Sequence, residues 1–182
     1  MQLTGGQFKG RKLDVPEDVK PTLSKVRESV FNILKSELGF FENLTFLDMF
    51  AGSGVMALEA LSRGFNVTAI EQNRLCIASI KSTLLKLDAQ LRLISADSLR
   101  AIKKLGGFDV IYIDPPWEYD YSEIIALAAN ALSRNGILIC ESDNKKLTPK
   151  EIPSGGIPSS VKLYKKKIYG RCKLSFYKLN VV

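Results

Sequence analysis

Between residues 45 and 142, short apolar runs alternate with segments of helical period. "LTFLDMF" (44–50), "FNVTAIE" (65–71), "LRLISAD" (91–97), "FDVIYI" (108–113) and "ILICES" (137–142) read as strands. Between them, "VMALEALSRG" (55–64) spaces Val55, Leu58 and Leu61 three apart and ends on Gly64, a C-cap residue. "NRLCIASIKSTLLKL" (73–87) opens on Asn73 as N-cap and gathers Leu75, Ile77, Ile80 and Leu84 near one face. "SLRAIKKLG" (98–106) is a short helix, and "SEIIALAANALSRNG" (122–136) is a longer one predicted to close near Gly136. This alternation predicts right-handed βαβ units on a parallel sheet with helices on both faces.

The flanks follow other patterns. "RESVFNILKSEL" (27–38) is a helix, and residues 1–20 read as a small strand-and-loop appendage to a single domain spanning 1–182. Residues 148–160 are rich in turn formers. After them, "VKLYKKKIY" and "RCKLSFYKL" flank Gly170 as the strands of a hairpin. Its second strand alternates Cys172, Leu174 and Phe176 with polar residues, so one face is apolar, and the hairpin is expected to extend the sheet at an edge.

Composition narrows the chemistry. With 182 residues and 46% apolar content, the chain can bury one good core. Three scattered cysteines (Cys76, Cys140, Cys172) and no histidine argue against a disulfide framework, a zinc site and a histidine-based triad. No apolar run reaches bilayer length and the first residues lack a signal-peptide core, so a soluble cytoplasmic protein is expected. The net charge of +7 is divided as +2 over residues 1–40, −4 over 41–144 and +9 over 145–182. Basic flanks around an acidic centre suit a polyanion held by the edges, although lysine-rich ends also serve solubility alone.

"LDMFAGSGVMA" (47–57) carries a strand through a glycine turn into a helix. Gly52 and Gly54 permit positive φ and close approach of a ligand to the main chain, with Phe50 and Ser53 on the same turn. The second strand ends at Glu71, followed by Gln72, where an acid can bond a ribose diol. The third ends at Asp97-Ser98, where an adenine edge would lie or a helix would simply be capped. All these ends fall on the carboxyl edge of the sheet, where open α/β folds bind ligands. Asp48 disfavours a dinucleotide phosphate at the turn and favours a cationic sulfonium.

The fourth strand ends in Asp114-Pro115-Pro116-Trp117. The prolines fix φ, so the Asp114 carboxylate and Pro115 carbonyl form a stiff pair of acceptors beside an aromatic face. An exocyclic nucleobase amine, a poor nucleophile because its lone pair is delocalised, is activated by such a grip, and Asp114 can take its proton. Trp117 would stack on a base that is flipped or unpaired.

Taken together, "LDMFAGSG", the acid-ended second strand and "DPPW" resemble the class I S-adenosylmethionine-dependent methyltransferases of exocyclic amines. "GGQFKGRKL" (5–13), "KPTLSKVRESVFNIL" (20–34) and "YGRCKLSFYKL" (169–179) are similar to the bacterial 16S ribosomal RNA guanine-N2 methyltransferase family over nearly the whole chain. The resemblance implies a Rossmann-like, seven-stranded, mostly parallel sheet with an antiparallel last strand. It implies S-adenosylmethionine held by Asp48, Phe50, Gly52, Ser53, Gly54, Glu71, Gln72, Asp97 and Ser98, and catalysis by Asp114, Pro115, Pro116 and Trp117. Its substrate would be a guanine N2 amine in 16S RNA, within the small subunit or an assembly intermediate. No metal, no membrane and a monomer are expected.

The family usually has tyrosine where this chain has Trp117, and "DPPW" also occurs in adenine-N6 methyltransferases, which act on RNA or DNA and remain the alternative. Lys9, Arg11, Lys12 and Arg27 are candidate contacts to RNA phosphates. Two further readings compete: a nicotinamide oxidoreductase, from the spacing Gly52-x-Gly54-x-x-Ala57, and a ribosome-assembly factor without activity.

Overall fold

The structure is a computed structural model that describes residues 1–16, 19, 22–116, 118–143 and 159–180. Helix α1 (Ser24–Leu38) precedes β1 (Thr45–Asp48), α2 (Val55–Ser62), β2 (Asn66–Glu71), α3 (Arg74–Leu87), β3 (Arg92–Ser95) and α4 (Ser98–Ala101). A 3₁₀ turn (Ile102–Lys104) leads to β4 (Phe108–Ile113), α5 (Tyr121–Ala131), β5 (Leu132–Asp143), β6 (Val161–Tyr169) and β7 (Cys172–Leu179). The strands form one sheet in the order β3-β2-β1-β4-β5-β7-β6. The first five are parallel, and β7 runs antiparallel to both β5 and β6. The hairpin thus extends the sheet as expected, with lysine-rich β6 as its outer edge.

Alternation along the strands divides two cores. Phe46, Val110, Tyr112, Ile137, Ile139, Leu174 and Phe176 pack with α1, α2 and α3. Leu47, Ile111, Ile113, Leu138, Cys140 and Tyr177 pack instead with α5 and Ile102. Each strand in the middle of the sheet is therefore apolar on both faces, the signature of a sheet covered on both sides. No helix among the described residues is long and apolar enough to cross a membrane.

Two boundaries differ from the sequence expectation. Helix α5 ends at Ala131, not near Gly136, and β5 begins at Leu132. The register with β4 shifts there, from Phe108↔Leu132 to Val110↔Ile137. Gly136 lies inside the strand, where an added Cβ would stand 2.9 Å from the Phe108 carbonyl oxygen and 2.7 Å from Leu132 Cγ. Close backbone approach at a bulge, not helix termination, requires glycine here. Predicted helix 98–106 becomes one α-turn followed by the 3₁₀ turn.

The N-terminal appendage is fastened by charge. Residues 2–12 close a small loop through a Gln2↔Lys12 bridge, with Leu3 and Leu13 buried in the first core. Arg27, expected to meet RNA, points inward instead and is 1% exposed. Its Nη1 donates to Glu59 Oε1 at 2.7 Å and to the Gln2 carbonyl at 3.1 Å, while Nη2 donates to Ser24 Oγ at 2.8 Å. Glu59, fully buried on α2, also pairs with Arg63 and accepts from the Thr4 N–H and hydroxyl at 2.9 and 3.0 Å. A single carboxylate thus joins the appendage, α1 and α2. Arg27 Nε is buried without a partner among the described residues, but a guanidinium this deep and paired with Glu59 is out of reach of an RNA phosphate.

Glu59→Ala leaves two arginines without their shared acceptor. It is expected to lower unfolding free energy in urea by about 3–5 kcal/mol. A loss under about 1 kcal/mol would show that the network does not hold the appendage.

Candidate active site

The carboxyl ends of β1, β2, β4 and β5 lie side by side and carry the candidate chemistry. At the end of β1 the chain enters the glycine turn. Met49 N–H donates to the Tyr112 carbonyl and Ala51 N–H to the Ile70 carbonyl, each at 3.0 Å, so the turn hangs from both neighbouring strands. Gly52 has φ +51, and its N–H donates to Glu71 Oε2 at 2.6 Å. Among the described residues, a Cβ there would meet Val19 Cγ1 at 3.8 Å, an ordinary contact. Gly54 has φ +75, and a Cβ there would stand 2.5 Å from Ile80 Cγ1. Gly54 therefore lets α2 sit against α3, whereas Gly52 is required by its left-handed φ. Ser53 is buried.

Asp48 lies beneath the turn rather than on its surface. It is 1% exposed, and its Oδ2 accepts from the Ala57 N–H at 3.0 Å. Ala57 is the third residue of α2, whose own N-cap, Gly54, has no side chain to do this work. A carboxylate from β1 caps the helix across the turn. Burial pushes the Asp48 carboxyl up to about 7; the bond from Ala57 opposes this, and the nearby Glu71 charge adds to it.

Glu71 accepts from three backbone N–H groups, those of Gly52, Gln72 and Asn73. A carboxylate has about four acceptor directions, so one remains for a ligand hydroxyl. Gln72 is exposed beside it. Asp97 caps α4 through Oδ1, which accepts from Arg100 N–H at 2.9 Å. Ser98 is buried and donates its hydroxyl to the Met49 carbonyl at 2.6 Å, tying α4 to the glycine turn. Ser98 thus supports the turn from behind.

The fourth strand's end reaches the same rim. Asp114 is exposed by surface area, yet protein crowds its carboxyl from the strand side. Burial raises its pKa well above the ordinary range, and the charges of Glu141 and Asp48 add to this. Its electrostatic contact with Asp48 places the Asp-Pro-Pro turn beside the glycine turn. The rings of Phe50 and Tyr119 bring the two turns together, meeting edge to face with centroids 5.7 Å apart. The Pro115 carbonyl, expected to be free, accepts from the Tyr121 hydroxyl at 3.3 Å, a long bond that leaves its second lone pair. Pro116 is exposed, and its carbonyl accepts from Tyr119 N–H at 3.1 Å. Trp117 lies outside the described residues.

Sequence reasoning missed Glu141, Tyr112, Tyr119 and Tyr121. Tyr112 is buried on β4 and donates its hydroxyl to Glu141 Oε2 on β5. Glu141 had a legible signal: it ends the run 137–142 on the edge that carries the other acids. The tyrosines had none, because their roles depend on which strand lies next to which.

Lys9, Arg11 and Lys12 are exposed. Their loop contacts Ser62, where Gln7 N–H donates to its carbonyl at 2.7 Å and Phe8 N–H to its hydroxyl at 2.9 Å. Ser62 ends α2, whereas the glycine turn begins it. The loop is therefore about 10 Å along the helix axis from the rim. These cations are set apart from the acids and could meet only a substrate large enough to span that distance.

A family model described as Conserved hypothetical protein 95 matches residues 1–178. The Ribosomal RNA small subunit methyltransferase D of Escherichia coli K12 is 30% identical over 184 residues, covering 97% of this chain and 89% of that protein. Its counterpart in Haemophilus influenzae is 32% identical over 163 residues, covering 82% and 83%. The solved structure of yhhF from Escherichia coli has a TM-score of 0.83 and 29% identity, covering 98% of this chain and 97% of that one.

Asp48 gives a test of the rim's electrostatics. A carboxyl whose folded pKa is raised to about 7 costs stability as pH rises from its unfolded value of about 4 through 7. Asp48→Asn keeps an oxygen for Ala57 and removes the charge. The ligand-free variant is expected to melt above the parent at pH 8, with the gap narrowing as pH falls and closing near pH 4. Equal melting at pH 8 would show that the carboxylate carries no such penalty.

Proposed function

The chain belongs to the Conserved hypothetical protein 95 family and, through its relatives, to the small-subunit ribosomal RNA methyltransferases D; from that premise we propose that it methylates the N2 amine of a guanine in 16S ribosomal RNA. Its fold is that of the class I methyltransferases. The supporting observation is the shared rim: Asp48 pairs with Tyr112 in parallel register, which sets the glycine turn beside the aspartate held by prolines.

The residues present fit S-adenosylmethionine as methyl donor. Gly52 offers backbone at the turn, Glu71 keeps one acceptor direction for a ribose hydroxyl, and Asp97 has an oxygen beyond the one that caps α4. Asp48, Glu71 and Asp114 together favour a cation. They disfavour the nicotinamide dinucleotide, whose phosphates would face Asp48 across the turn. When bound, S-adenosylmethionine supplies an electrophilic methyl group on a positively charged sulfur.

The chain's own residues act on the amine. Asp114 and the second lone pair of the Pro115 carbonyl accept its two hydrogens, which turns the nitrogen lone pair outward. Asp114 then takes the proton that the nitrogen must lose. Its raised pKa suits it to hold that proton, since a more basic carboxylate is the better acceptor. Rate enhancement comes chiefly from orientation of the two reactants. Trp117 follows directly in the chain, and we assign it the stacking face. The RNA is reached in the small subunit or an assembly intermediate, by a monomer acting in the cytoplasm.

Incubation with small subunits and labelled S-adenosylmethionine, followed by nucleoside mass spectrometry, is expected to yield N2-methylguanosine. N6-methyladenosine would transfer the assignment to adenine, and no labelled nucleoside would contradict the reading. Asp114→Ala is expected to reduce transfer at least about 100-fold while S-adenosylhomocysteine binds as in the parent. For the parent, kcat/KM should rise with pH along a limb above the usual carboxylate range. A limb near pH 4 would contradict a crowded Asp114.

A further inference from the structure

Asp114 has a carboxylate neighbour that the methyl-transfer step does not use. The register pairs Ile113 with Cys140, so Asp114 and Glu141 are the next residues on adjacent parallel strands. Tyr112 on β4 and Ile139 on β5 face the core beneath α1. Alternation carries Asp114 and Glu141 to that same face, separated by about one strand spacing of 4.8 Å. The contacts agree: Tyr112 donates to Glu141, and the charges of Glu141 and Asp114 act on one another.

Glu141 is costly as a purely structural partner. The buried Tyr112 hydroxyl needs an acceptor, but a neutral one would serve, and Thr22 is also close enough to bond it. A second anion next to Asp114 adds repulsion, and among the described residues the carboxylate of Glu141 is bonded by the Tyr112 hydroxyl. Among the described residues that bond leaves acceptor directions on Glu141 unused, and Glu141 is only half-buried. What satisfies a pair of anions with unused acceptors is a ligand edge made of donors.

Guanine has such an edge. Its N1–H and its N2 amine lie side by side, and both donate. Adenine presents an amine next to N1, a bare lone pair that a carboxylate would repel. Resting on the methyltransferase reading above, we propose that Glu141 forms a base-reading subsite that accepts the guanine N1–H while Asp114 holds the N2 amine. Guanine is thereby selected over adenine at the rim itself. Tyr112 positions Glu141 by bonding it from the protein side.

The test uses the full-length protein on small subunits reconstituted with 2-aminopurine in place of the mapped target guanine. This analogue keeps the amine, exchanges N1–H for a lone pair and replaces O6 with hydrogen. The change in its penalty between parent and variant, not the penalty itself, therefore reports on N1. The parent is expected to methylate it about 10- to 100-fold less efficiently than guanine, the usual effect of losing one hydrogen bond to a charged group. Glu141→Gln, whose amide can donate to the bare N1, is expected to lose activity on guanine and to narrow the gap between the two bases to within a few-fold. Unchanged S-adenosylhomocysteine affinity in Glu141→Gln shows that the variant is folded. An equal penalty for the analogue in parent and variant would overturn the subsite. Failure of the parent to methylate guanine at all would instead overturn the reading on which it rests.

Discussion

Parallel register at the centre of the sheet is the constraint on which the site depends. Because β2, β1, β4 and β5 run side by side in one direction, their final residues share one rim. Asp48 and Glu71 end β1 and β2, Asp114 directly follows β4, and Glu141 lies near the end of β5; burial raises the pKa values of Asp48 and Asp114, and the neighbouring carboxylates add to it. Asp48 and Glu71 serve the fold by capping α2 and fixing the Gly52 N–H, but the fold gains little from setting Asp114 beside Glu141. A site that receives a sulfonium and an amine gains from it, because both ligands bring positive charge or hydrogen-bond donors that offset the repulsion.

The rim works only if the glycine turn is held still, and its supports come from outside it. Glu71 fixes the Gly52 N–H, Ser98 fixes the Met49 carbonyl, and Asp48 caps α2 from below. Helix α2 is fixed in turn through Glu59, which draws in Arg27 of α1 and Thr4 of the appendage. The buried ion pairs therefore sit at the foot of the same helix whose first turn meets the site. Strain introduced at Glu59 would be passed along a helix of only eight residues to the glycine turn.

Much of this was legible in the sequence. Strand–helix alternation set the layers, and the acids at strand ends could be located because a strand end is a local event. Arg27 was misread because helical period alone does not say which face meets a partner; the buried acid that claims it is 32 residues away. Gly136 was misread because a glycine after a helical run resembles a C-cap, while the reason for it, the Phe108 carbonyl, lies on another strand. Tyr112 illustrates the same limit: its hydroxyl partner, Glu141, is defined by the pairing of β4 with β5.

The most direct measurement of the account is calorimetric, comparing S-adenosylmethionine with S-adenosylhomocysteine from pH 5.5 to 8.5. The two differ in the charge on sulfur. If the acids of the rim hold the donor, preference for the sulfonium must grow as Asp48 ionises around pH 7. A ratio of affinities that stays flat across that range would contradict it.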